Sequence, residues 1–245
     1  MLIDTFYDFR TDAHGKDPDT HSLTLRSYHK FLWSKLLPCG IYFQLDNVTP
    51  RSYLHHQSDL GEFFLASDSV MQTFIRWEKL KHIIEQFPEA ENEAFMKISY
   101  TIGGMIIFPG NKVDGKQTIN GARGFTRSIA DRMDLTLECI RRYYLGQSSP
   151  LGEVLERYAD FFALFADFRG YVEYFLLDDL VVQSRDEVNF FMPFDDFVLP
   201  SVPQDLDTYI EYRQRSIDFI VARNQRITAW CQAANTAVRN GTHFL

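Results

Sequence analysis

The order of hydrophobic patterns along the chain constrains its fold more than any other feature of the sequence. Short apolar runs of strand type, divided by turn residues, fill most of residues 1–65, whereas residues 125–245 have mainly helical periodicity. Strand and helix patterns that are segregated in this way, without alternation, are typical of α+β folds. We therefore predict a small, mostly antiparallel β-core joined to a large helical part.

Composition limits the class of protein further. The 22 Phe, 12 Tyr and 3 Trp among 245 residues exclude global disorder, because so many rings can form a large core. The chain has no run of about 18 apolar residues, which a membrane helix needs, and its first dozen residues lack the apolar segment of a signal peptide. We expect one α+β domain over residues 1–245, in the cytoplasm and without a membrane partner.

The sequence carries no recognisable metal-binding motif. Its three cysteines, Cys39, Cys139 and Cys231, are widely separated, and no CxxC, HxxxH or HExxH spacing occurs. We therefore predict no metal site. Cys139 and Cys231 lie in apolar helical patterns, where a free cysteine usually behaves as a small buried hydrophobic residue.

Local patterns predict the elements of the first half of the chain. Residues 52–67 fit two strands joined by a tight turn, and residues 67–87 fit a helix with a serine cap. Residues 87–94 have the composition of an acidic linker. Residues 96–108 fit an apolar strand, in which the pair Gly103–Gly104 indicates a bulge or a close approach of another backbone segment.

A long glycine-rich loop, PGNKVDGKQTINGARG, occupies residues 109–124 before a predicted helix. Amide donors and cations at a helix N-terminus suit a phosphate or pyrophosphate group. Lys112, Lys116, Asn120 and Arg123 are the candidate ligands in this loop. The alternative is a structural loop whose glycines serve only its turns.

A second candidate region, residues 26–35, combines aromatic and basic side chains. In a helix, Arg26, His29, Lys30 and Trp33 share one side. In a strand, Arg26, Tyr28 and Lys30 face one way and His29 faces the other. Either arrangement can stack a ring and hold a phosphate, and the alternative is an amphipathic element with solvated cations.

Charge is distributed unevenly in this chain of net charge −8. Residues 97–142 hold eight Lys and Arg against four acids, whereas residues 150–220 hold five Arg against fifteen acids. The basic segment is a candidate anion site. Alternatively, it pairs with the acidic segment inside the molecule.

Three segments, YHKFLWSKLLP, FPGNKVDGKQTINGARG and IADRMDLTLECIRRYYLG, carry a resemblance over essentially the whole chain. The chain resembles a bacterial domain family of unknown function. It is also similar to the ADP-ribosyltransferase toxins of toxin–antitoxin–chaperone phage-defence systems. That similarity implies an ADP-ribosyltransferase-like β-core, NAD as substrate, mRNA as target, a role in antiviral defence, and antitoxin and chaperone proteins as partners.

The resemblance also implies roles for individual residues. Tyr28 and His29 would position NAD, although residues 53–55 are a competing match, and residues 63–69 would form the second site strand and the start of a helix. Glu187 would stabilise the positive charge that develops on the ribose. The remaining assignments follow the same scheme: Arg26, Lys30, Ser67, Asn120 and Arg123 would bind NAD, and Lys112, Lys116 and Arg127 would bind RNA.

Two other functions remain open on the residues alone. A metal-independent ribonuclease toxin would use His29, His56, Lys30 and Arg123 for acid–base chemistry and phosphate stabilisation. A noncatalytic binding module would dock a partner on its aromatic surface.

Overall fold

A computed structural model describes residues 3–47, 54–182 and 186–239. The helices in these ranges are α1 (Pro18–His21), α2 (Leu23–Trp33), α3 (Lys81–Ile84), α4 (Glu89–Ser99), α5 (Ile119–Phe125), α6 (Met133–Tyr144), α7 (Gly152–Glu156), α8 (Ala159–Ala163), α9 (Phe168–Tyr174) and α10 (Leu206–Arg239). The strands are β1 (Lys35–Leu36), β2 (Tyr42–Phe43), β3 (Asp46–Asn47), β4 (Leu54–Ser58), β5 (Gly61–Ser69), β6 (Met105–Pro109), β7 (Val181–Val182) and β8 (Glu187–Val188). This mixture confirms the predicted α+β class. No helix in the described ranges is long and apolar enough to cross a membrane.

An antiparallel sheet in the order β3-β4-β5-β6 forms the centre of the β-structure. The predicted hairpin is confirmed, since Ser58 pairs with Gly61 across the turn between β4 and β5. β4 accompanies β5 only to the pair Leu54–Leu65, whereas β6 continues along β5 to Ser69. Helix α1 packs against β5. This arrangement brings the short acidic helix α1 next to the end of β5.

The close approach predicted at Gly103–Gly104 is confirmed. These glycines form a 3₁₀ turn just before β6 and lie under helix α10. The amide of Gly103 donates to Asn224 Oδ1 at 2.7 Å, and a Cβ atom on Gly103 would lie 2.5 Å from the carbonyl oxygen of Ile220. Glycine is therefore required here because a side chain would overlap the backbone of α10.

Three local predictions in this region are wrong. Of the strand predicted at residues 96–108, residues 96–99 belong to α4, and the strand begins only at Met105. Residues 67–69 belong to β5, because Ser67–Ser69 pair with β6, so neither Ser67 nor Ser69 caps a helix. The chain turns at Phe74, whose φ is 60°, and only short helical pieces follow before residue 85. The predicted linker at residues 87–94 is mostly the first half of α4, which begins at Glu89 and ends at Ser99. Pairing with β6 overrides the helical periodicity at residues 67–69, whereas α4 forms where it packs against α10.

The core is rich in rings and also encloses a charged side chain. Phe161, Phe165, Tyr171 and Phe175 are almost fully buried and contact one another. Arg223 of α10 is fully buried and donates to the carbonyl oxygens of Gly103, Met105 and Phe175 at 2.7–3.0 Å. These bonds join α10 to the start of β6 and to the end of α9. Cys139 and Cys231 are buried, as predicted, and Cys39 is exposed.

Candidate functional site

A chain of hydrogen bonds leads from helix α2 to Ser67 on β5. The indole Nε1 of Trp33 donates to His29 Nδ1 at 3.0 Å, and His29 Nε2 lies 3.0 Å from Ser67 Oγ. An indole nitrogen can only donate, so His29 Nδ1 accepts and the proton of the neutral imidazole is on Nε2. His29 therefore donates to Ser67. It positions the serine hydroxyl and does not act as its base.

Burial keeps His29 neutral. The side chain is 1% exposed, and burial, with a smaller contribution from the positive charge of Arg223, lowers the pKa of His29 to about 3. An imidazole with so low a pKa does not take up a proton at neutral pH. The geometry thus gives His29 a fixed donor role.

We expect the free energy of unfolding to fall as the pH falls from 6.5 towards 3. Over that interval the unfolded chain binds a proton at His29 that the folded chain does not, so acid favours unfolding. The loss at pH 4 should be on the order of 3 kcal/mol. Urea titrations over a pH series measure it. In the His29→Gln variant, whose amide still donates towards Ser67, this part of the pH slope should vanish; an unchanged slope would contradict the assignment.

Asp19 brings a carboxyl group to the same serine. Asp17 caps helix α1, Pro18 occupies its first turn, and the amide of Asp19 donates to Asp17 Oδ1 at 3.2 Å. Burial first, and then the charge of Asp17, raise the pKa of Asp19 to about 6, although the nearby Ser67 hydroxyl opposes the rise. Asp19 Oδ1 is buried and makes no hydrogen bond within the described residues. The group is therefore able to gain or lose a proton near neutral pH.

Arg123 of helix α5 holds the acidic residues on the other side of Ser67. Its guanidinium is fully buried, forms a hydrogen-bonded ion pair with Asp68, and lies 3.6 Å from Asp131 Oδ1. It also donates to the Thr136 hydroxyl at 3.0 Å and to the Ser69 carbonyl at 2.9 Å. With all these partners, Arg123 is committed to internal contacts and acts as a positioning residue.

The acidic residues around Arg123 affect one another. Burial raises the pKa of Asp68; Arg123 opposes this rise, and Asp131 and Asp19 add to it. Asp17, Asp19, Asp68 and Asp131 thus form an acidic cluster that shares one buried cation. Like charges held together in this way favour a proton or a cationic ligand nearby.

Asn120 completes the surroundings of Ser67. Its Nδ2 donates to the Ser67 carbonyl at 3.1 Å, while its Oδ1, like the Oδ1 atoms of Asp19 and Asp131, is buried without a hydrogen bond in the described structure. Unpaired buried oxygens are costly, which indicates that a ligand or water supplies their donors. Among the described residues, no group of three His, Cys, Asp or Glu side chains is arranged to hold a metal ion.

Tyr100 feels the charge of Asp19 and also that of an exposed arginine, Arg76. Tyr100 is half-buried, and burial and the charge of Asp19 raise its pKa, whereas Arg76 opposes the rise. Arg76 is exposed. Arg10 also lies near Tyr100 but is paired with Asp8 and Glu93 at 2.6 and 2.7 Å. Arg76 is thus a solvent-exposed cation near Tyr100.

The other residues predicted in helix α2 do not contact Ser67. Tyr28 is buried against Phe9, its hydroxyl accepts from the amide of Asp4 at 3.0 Å, and burial raises its pKa. Arg26 is buried and donates to the carbonyl of Thr20 at 3.3 Å. Lys30 is paired with the exposed Asp46 at 2.9 Å. Within the described part of the chain, the hydrogen bond that joins this group to β5 comes from His29.

The remaining predicted residues lie elsewhere. Lys112 and Lys116 are exposed in the loop before α5, and Arg127 is exposed just after α5. Glu187 is exposed on β8, a two-residue strand that packs against α6. Of residues 53–55, the competing match, Tyr53 lies outside the described residues and His55 pairs with Glu62 at 2.8 Å. The structure therefore brings together four of the predicted residues: His29, Ser67, Asn120 and Arg123.

Sequence reasoning missed the carboxylates of the cluster. Asp17 and Asp19 lie in a segment that has the appearance of a polar loop, although Asp17 followed by Pro18 is a common start of a helix. Asp68 was hidden by the expectation of a helix at residues 67–87. Asp131 follows Ala130, and both adopt a left-handed backbone, with φ of 62° and 48°. No local sequence signal predicts that conformation for alanine.

A separate cavity of about 650 Å³ contains a second unusual titratable group. The amine of Lys35 lies 4.5–5.3 Å from the ring centres of Trp33, Tyr174 and Trp230, and donates to the Tyr174 carbonyl at 2.5 Å. Burial, and then the charge of Arg223, lower the pKa of Lys35 to about 7. The aromatic rings stabilise the charged form in part.

Comparison with known proteins places the chain in a family without assigning it an activity. No curated protein and no solved structure shows a significant match to the chain. Residues 3–227 match DUF6994, which is described as a family of unknown function. The match covers nearly the whole chain, and we conclude that this protein is a member of the DUF6994 family.

Proposed function

We propose that the chain is an NAD-consuming toxin or defence effector that transfers ADP-ribose to an RNA target. The observation that carries the proposal is the acidic cluster beside Ser67, and within it the buried carboxyl of Asp19. In this transfer the bond between ribose and nicotinamide breaks, and its electron pair goes to the ring nitrogen. The ribose becomes positively charged in the transition state, and nearby carboxylates stabilise that charge.

The charges near the cluster support NAD as the substrate. The nicotinamide ring of NAD is cationic before it leaves, so it is attracted to Asp17, Asp19, Asp68 and Asp131. Arg76, exposed near Tyr100, is a cation for the diphosphate. Ser67, held by His29, and the free Oδ1 of Asn120 are available to the ribose hydroxyls.

Asp19 is suited to the proton transfer that completes the reaction. The acceptor oxygen or nitrogen of the RNA forms the new bond to the ribose carbon and must lose a proton. A carboxyl with a pKa of about 6 is partly ionised at neutral pH and can receive that proton. We therefore propose that Asp19 is the general base and that the carboxylates of the acidic cluster stabilise the positive charge on the ribose.

We expect Asp19→Asn to reduce nicotinamide release and label transfer from labelled NAD to RNA by about 100-fold or more, because both charge stabilisation and proton removal are lost. The variant should fold, since burial already favours the uncharged form of this side chain. Radiolabel transfer and nicotinamide release are the measurements, and thermal unfolding checks the fold.

Two further variants complete the experiment. Asp160→Asn, an exposed carboxylate on α8, should retain full activity. Glu187→Gln decides between the two candidate carboxylates. Loss of activity in Glu187→Gln, with full activity in Asp19→Asn, would return the role to Glu187 and refute the assignment to the cluster.

The geometry does not favour the ribonuclease alternative. His29 is fixed as a buried donor, and His56 is buried, bonded to the Gln44 carbonyl and to Ser58, and stacked 4.1 Å from Phe43. Two histidines that share the acid and base roles must both reach one substrate phosphate. Transcript shortening without added mass would nevertheless support a ribonuclease over the transferase.

A further inference from the structure

A cavity of about 680 Å³ opens beside the segment that carries Arg123 and Asp131. Its side-chain walls include Trp77, Phe125, Lys79, His82, Arg127 and Gln204, and we call this cavity the aromatic cleft. We propose that the aromatic cleft binds single-stranded RNA and holds it next to the acidic cluster. The inference rests on the proposed function for the identity of the acceptor.

The charge of the aromatic cleft differs from that of the whole protein. Lys79, His82 and Arg127 line the cleft and are exposed, and no Asp or Glu is among its lining residues. The nearby acids Glu78 and Glu85 are outside the lining, and each places a carboxylate oxygen 3.9 Å from the amine of Lys81. In a chain of net charge −8, this is a local basic surface that suits a phosphate backbone.

The accessible rings of the aromatic cleft favour a single-stranded ligand over a duplex. Phe125 is 78% exposed, a high value for a large apolar side chain. Trp77 is partly buried and is held edge-on by Phe74, with ring centres 5.1 Å apart. Unpaired bases stack on such rings, whereas the stacked bases of a duplex have no free faces.

The position of the aromatic cleft connects it to the acidic cluster. Gly124 and Ala130 line the cleft and are the direct chain neighbours of Arg123 and Asp131. The amide of Asp131 also donates to the Arg123 carbonyl at 3.1 Å, and this bond holds the two ends of residues 123–131 together. A nucleotide bound in the cleft therefore lies beside the segment that supplies Asp131 to the cluster.

Binding of a fluorescently labelled single-stranded RNA of mixed sequence, without NAD, tests the inference on the full chain. Trp77→Ala and Phe125→Ala should each weaken binding about 5- to 100-fold through lost stacking. Lys79→Ala and Arg127→Ala should each weaken RNA binding a few-fold. Each should also lower, by about one, the steepness of the plot of log binding constant against log salt concentration. Fluorescence anisotropy gives all of these quantities.

A control variant and a duplex RNA separate this binding test from the test of NAD consumption. Lys97→Ala on α4, an exposed lysine outside the cleft lining, should leave binding unchanged. Duplex RNA should bind more weakly than the single strand. Absent RNA binding, an equal loss in the Lys97→Ala control, or tighter binding of single-stranded DNA would each overturn the inference. RNA binding that needs the two rings, without any NAD consumption, would refute only the proposed function.

Discussion

The Arg123→Met variant should lose about 3–5 kcal/mol of unfolding free energy at neutral pH, because it leaves two partly buried carboxylates without their fully buried cation. Asp68 loses its ion pair, Asp131 loses the nearby positive charge, and the Thr136 hydroxyl and the Ser69 carbonyl each lose a hydrogen bond. Urea denaturation with linear extrapolation measures the loss.

The loss should also depend on pH. Without Arg123, burial raises the pKa of Asp68 further, so the carboxyl takes up a proton more readily in the folded state. The destabilisation should therefore be smaller at pH 5 than at pH 8. Arg127→Met, which removes an exposed arginine four residues away, should change stability by about 0.5 kcal/mol at most. Equal effects of the two substitutions would show that Arg123 is not the cation that holds the cluster.

Gly104→Ala should cost about 3 kcal/mol or more, or prevent folding. A methyl group on Gly104 would overlap the carbonyl oxygen of Ser99, a backbone atom at the end of α4 that cannot move away as a side chain can. The overlap would push apart α4 and β6, which the 3₁₀ turn connects. Thermal unfolding and soluble yield report the effect.

Gly124→Ala provides the matched control. It lies in helix α5, no atom is within 4 Å of the added methyl group, and alanine favours a helix over glycine by about 0.5–1 kcal/mol. This variant should be as stable as the parent or slightly more stable. A Gly104→Ala protein with unchanged stability would mean that α4 and β6 adjust freely.

The sequence patterns were most informative where the local signal and the tertiary structure agree. The hairpin of β4 and β5 has a turn and two alternating strands within one short segment. The apolar spacing of Val70, Phe74 and Leu80 correctly marks buried residues, yet Val70 and Phe74 lie outside any helix and Leu80 ends a short 3₁₀ turn. Periodicity shows which side chains are buried, but strand pairing with the distant β6 decides the backbone conformation.

The candidate site was predictable only in part for a similar reason. Asn120 and Arg123 were found by residue type in the glycine-rich loop, whereas Ser67 was found only through the family resemblance. Asp19 was missed because its importance comes from burial against β5, and burial of a carboxyl in a short helix leaves no trace in the local sequence. The roles of His29 and Arg123 also depend on partners that are distant along the chain.

The three tryptophans give this protein an internal set of optical reporters. Trp33 is hydrogen-bonded to His29 and lies 5.1 Å from the Lys35 amine, Trp230 lines the cavity of that amine, and Trp77 lines the aromatic cleft. The emission of an indole responds to the polarity and charge around it. In a variant that keeps one tryptophan and replaces the other two by phenylalanine, the emission would report on one site alone. The three variants would thus distinguish protonation or ligand binding near His29, near Lys35 and in the aromatic cleft, without any attached dye.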